Sequence, residues 1–180
     1  RLSASAPQIL GRGITNSRSN YDLAVEVART EAFVSARFSL LRREVERTAG
    51  GEVLGSLLRA FRLEQTLLQL RRLRTLIEEE AERSVAPALK ARLLQTVAAL
   101  FDRMLQEEEA RFAEPEAGER SDFFRDAAGS SYSRIAEELA DPAGVSFDLL
   151  TGLYDKCIVR VENEPLELGF REHIGGALER

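Results

Sequence analysis

Histidine and cysteine, the side chains that most often bind metals or act as bases and nucleophiles near neutral pH, occur once each, as His173 and Cys157. One histidine excludes the paired Glu-x-x-His ligands of di-iron bundles, an H-E-x-x-H zinc site and a two-histidine haem. One cysteine excludes a disulfide within the chain and a thiolate zinc knuckle. Cys157 recurs at helical steps with Leu150, Tyr154 and Val161, so it reads as a buried thiol on an apolar stripe. Lys156 beside it turns to a different face. Asp148 and Asp155 share a helix face seven residues apart, which solvated carboxylates commonly do. The chain has no G-x-x-x-x-G-K-[ST] loop and no G-x-S-x-G elbow, and the GRG at 11–13 lacks a preceding strand. No catalytic, metal-binding or cofactor-binding residue is expected.

Blocky charge is what remains. QLRRLRTLIEEEAER, residues 69–83, sets Arg71, Arg72 and Arg74 ahead of Glu78, Glu79, Glu80 and Glu82. If this helix and the next form an antiparallel hairpin turning near residue 85, residue i lies across from about 170 − i. The glutamates then come level with Lys90 and Arg92, and Glu107, Glu108 and Glu109 come level with Arg59 and Arg62. The glutamates therefore read as labels of helix register, with Glu79–Arg83 adding an i, i+4 contact. Arg71, Arg72 and Arg74 come level with residues 96–99, which include no acid. That triplet is the candidate partner surface; solvated side chains, or a segment elsewhere in the chain, are the other readings.

The elements that would carry these residues follow from apolar spacing. Leu23, Val27, Val34, Phe38, Leu41 and Val45 mark a first helix near 21–48, capped by Ser19 or Asn20 and ended by Gly50 and Gly51. A second, near 53–83, has two apolar faces: Leu54, Leu58, Phe61 and Leu68 on one, Leu63, Leu67, Leu70 and Ile77 on the other. It must be covered on more than one side. Pro87 suits the first turn of a third helix near 88–112, with a stripe from Leu89 to Leu105. A polar loop, 113–121, leads to shorter helices capped by Ser121 and Ser146, with Gly129 as a break in the first. CIVRV at 157–161 is β-branched enough for a short strand, but its apolar positions keep the helical period. Gly175 and Gly176 would end the last helix. The fold class is all-α: an antiparallel helical bundle of three long helices plus two or three shorter C-terminal ones, with at least about 60% helix against a usual third.

Composition sets the class. At 180 residues with 44% hydrophobic and 31% charged side chains, residues 20–180 fit one soluble domain. The net charge of −5 disfavours a general nucleic-acid binder. No apolar run reaches the roughly 18–20 residues of a membrane span. Only Lys90 and Lys156 are lysines, an arginine bias expected of a GC-rich coding sequence. Residues 1–19 form a flexible arm; the first twenty residues, rich in arginine and serine and without an acid, read as a transit-peptide remnant or a bacterial arm. An organelle (plastid or mitochondrial matrix) and the bacterial cytoplasm both fit. The expected function is a non-enzymatic protein-interaction module: an adaptor, assembly factor, chaperone or regulatory subunit. Its partner would be a protein, acidic if the arginines bind it, or another copy of the chain. The alternative is a small-ligand or lipid carrier with a pocket lined by Phe33, Phe61 and Phe101.

Overall fold

The computed structural model describes residues 8–14, 21–48, 51–113, 124–141, 144–164 and 167–180. Helix accounts for 87% of these residues and no strand occurs among them. The elements are α1 (Tyr21–Thr48), α2 (Gly51–Ser84), α3 (Pro87–Ala113), α4 (Phe124–Leu139), α5 (Phe147–Asn163) and α6 (Phe170–Glu179). Among the described residues no helix is long and apolar enough to cross a membrane.

Two local signals act as expected. Pro87 opens α3, where its missing N–H costs nothing, and the amides of Leu89 and Lys90 donate to the Ala86 carbonyl at 3.0 and 3.2 Å. Ser146 caps α5 by accepting from the Leu149 amide at 3.2 Å. Ser19, Asn20, Gly50, Ser121 and the loop at 114–121 lie outside the described residues.

Three glycine expectations are corrected. Gly51 begins α2, α4 runs unbroken through Gly129, and α6 continues past Gly175 and Gly176 to Glu179. Glycine in a helix interior costs only about 1 kcal/mol, which packing overrides. At Gly129 the reason is visible: a Cβ there would lie 3.1 Å from the Tyr154 hydroxyl oxygen. Residues 157–161 are helical, so the β-branched run yields to the apolar period.

The chain divides into two compact units: Arg1–Leu58 with Glu167–Arg180, and Arg59–Leu166. α1 lies in the first and α3 in the second, and α2 contributes residues to both. In the second unit, residues of α2, α3, α4 and α5 share one core that includes Leu73, Ile77, Leu100, Phe101, Tyr132 and Ile158. The α3 stripe is buried at Leu93, Val97, Leu100, Phe101 and Met104. Tyr132 anchors this core. Its ring packs edge-on against Phe101 at 6.0 Å and its hydroxyl donates to the Leu150 carbonyl at 2.9 Å. In the first unit α1 packs with α6 through Phe38 and Phe170, whose rings meet edge to face at 5.4 Å. There Ala24, Val34, Phe38, Leu54 and Ala177 are the buried hydrophobic residues among those described.

Candidate interaction surface

The hairpin register holds in part. Lys90 meets Glu82 at 2.9 Å, and Arg74 reaches Asp102 at 2.9 Å. Both pairs run antiparallel along α2 and α3. The other glutamates look elsewhere. Glu78 takes Arg74 at 2.7 Å; Glu79 lies 4.0 Å from Arg72 and 3.9 Å from Arg160; Glu80 takes Arg83 at 2.9 Å and Lys156 at 3.5 Å. Arg160 and Lys156 belong to α5, so these labels also orient α5 on α2. Arg83 bonds the Glu79 carbonyl, at 3.4 Å, rather than its carboxylate. Arg92 pairs with Asp141.

Glu107, expected near Arg59 and Arg62, is instead held by Arg103 of its own helix and by Arg134 of α4. Both arginines also bind Glu138. This ring of alternating charge spans α3 and α4, and the hydrogen bond from Arg103 keeps the Glu138 carboxyl below its ordinary range. Glu108 pairs with Arg111 at 2.5 Å.

The arginine triplet divides. Arg72 grips Glu164, beyond α5, with a two-pronged contact at 2.5 and 2.6 Å, which holds the Glu164 carboxyl below its ordinary range. Arg74 is occupied by Glu78 and Asp102. The expectation that the hairpin offers the triplet no acid is therefore corrected for Arg74, while Arg72 meets its acid in a segment elsewhere in the chain, as the other reading has it. Asp102 lies more than a turn and a half beyond the level reckoned for Arg74, and Glu164 comes from the last third of the chain. Arg71 is exposed, and no ion pair engages it among the described residues.

The remaining chemistry-bearing residues are quiet. Cys157 is buried and burial pushes its thiol up, away from thiolate reactivity. The imidazole Nε2 of His173 donates to the Glu167 carbonyl at 2.9 Å. Asp148 and Asp155 are exposed. Burial pushes the Tyr154 phenol up to about 12, and its hydroxyl donates to the Arg125 carbonyl at 3.1 Å. Among the described residues no group of three His, Cys, Asp or Glu side chains could hold a metal ion. Phe61 and Phe101 are fully buried, but Phe33 is 58% exposed and so does not share a buried lining with them.

Phe33 belongs to a different feature, which the periodicity did not single out. Of eleven exposed large hydrophobic residues among those described, nine lie in the first unit. Four are on α1: Tyr21, Val25, Phe33 and Leu40, at 78%, 63%, 58% and 47% exposure. At ~100° per residue they fall within an arc of about 120°. Residues 8–14 are seated against α1 across part of that arc, along the line of Ala28, Ala32 and Ala36. A Cβ on Gly11 would stand 2.2 Å from the Ala32 carbonyl oxygen, and one on Gly13 would stand 1.8 Å from that of Ala28. Only glycine permits this approach. Gln8, at the other end of the segment, accepts a hydrogen bond from Arg43. The signal was in the sequence: Ala28, Ala32 and Ala36 repeat every four residues, a smooth strip that matches G-x-G. The segment leaves Phe33 and Leu40 open.

The arrangement is an apolar strip bordered by charge on a long helix, in a chain whose second unit has many of its charges paired among the described residues. The chain matches no protein-family model, no curated protein and no solved structure.

Proposed function

We propose that this protein is a non-enzymatic helical interaction module that binds a protein through the exposed face of α1. The observation that carries the reading is the crowding of exposed large hydrophobic residues into the first unit. Isolated exposed apolar side chains are ordinary, but a grouped set on one helix face is the mark of a contact surface. The charge pattern supports the same division of labour. Arg72 and Arg74, the natural hooks for an acidic partner, are occupied by carboxylates of this chain. That leaves the α1 face as the principal contact.

The test is retention of proteins from native extract on the immobilised full chain, compared with a Phe33→Asp/Leu40→Asp variant of unchanged circular dichroism. At least one protein, this chain included, should be held by the native face and lost by the variant. Equal retention by both would overturn the reading.

A further inference from the structure

We draw no further inference here: the strongest candidate, the exposed apolar face of α1 around Phe33 and Leu40, carries none, because nothing in the structure shows what covers it.

Discussion

Of the twenty-nine buried hydrophobic side chains among the described residues, twenty-four belong to the second unit, whereas nine of the eleven exposed large ones belong to the first. The same amphipathic pattern thus meets two fates. In α3 nearly the whole stripe is buried, from Leu93 to Met104. In α1 only Ala24, Val34 and Phe38 are buried, while Leu23, Val27, Leu41 and Val45 are half-covered and Phe33 and Leu40 stand open. The charges divide likewise. Those of the second unit mostly cross between helices, as in the Arg103–Glu107–Arg134–Glu138 ring and the Arg72 grip on Glu164. On α1 Glu26 pairs instead with Arg29 of the same helix. Apolar burial concentrates in one region, and exposed apolar surface in the other.

The sharpest way to break this contrast is in the core. Leu100→Ala or Leu67→Ala, each at a nearly inaccessible site, should cost about 2–5 kcal/mol in urea unfolding, since each leaves a cavity. A loss under about 1 kcal/mol would mean the second unit is not tightly packed. Tyr132→Phe removes the hydrogen bond to the Leu150 carbonyl and should cost about 1 kcal/mol by the same assay. Glu164→Gln should cost about 1 kcal/mol or less at neutral pH, because the Arg72 contact is partly exposed. Its pH dependence has a definite sign. A carboxyl held below its ordinary value of 4.5 stabilises the fold fully above that pH and loses the contribution as pH falls through its folded value. The gap between the native protein and Glu164→Gln should therefore close on acidification below about 4.5, read as converging urea midpoints. The smallest effects belong to exposed positions: Phe33→Asp in the first unit and Arg71→Gln in the second should each shift stability by no more than about 0.5 kcal/mol. A large loss from Phe33→Asp would place that ring in a core and end the contrast.

Much of this was legible in the sequence. Periodicity located the long helices to within two residues, and Pro87 and Ser146 marked two starts because their effects are local. The two apolar faces of α2 foretold its burial on more than one side. What escaped depended on distant residues. Arg72 lies 92 positions from Glu164, and no hairpin register could have paired them. Gly129 looked like a break because Tyr154, which fills the space beside it, arrives from α5. Phe33 could be assigned to a pocket only because periodicity says which residues share a face, not whether anything covers it.

Amide hydrogen exchange of the full chain tests the central contrast most directly. The amides of α3, α4 and the α5 core should exchange slowly. Those of α1 around Phe33 should exchange faster. Exchange in α1 as slow as in the α3 core would contradict the contrast.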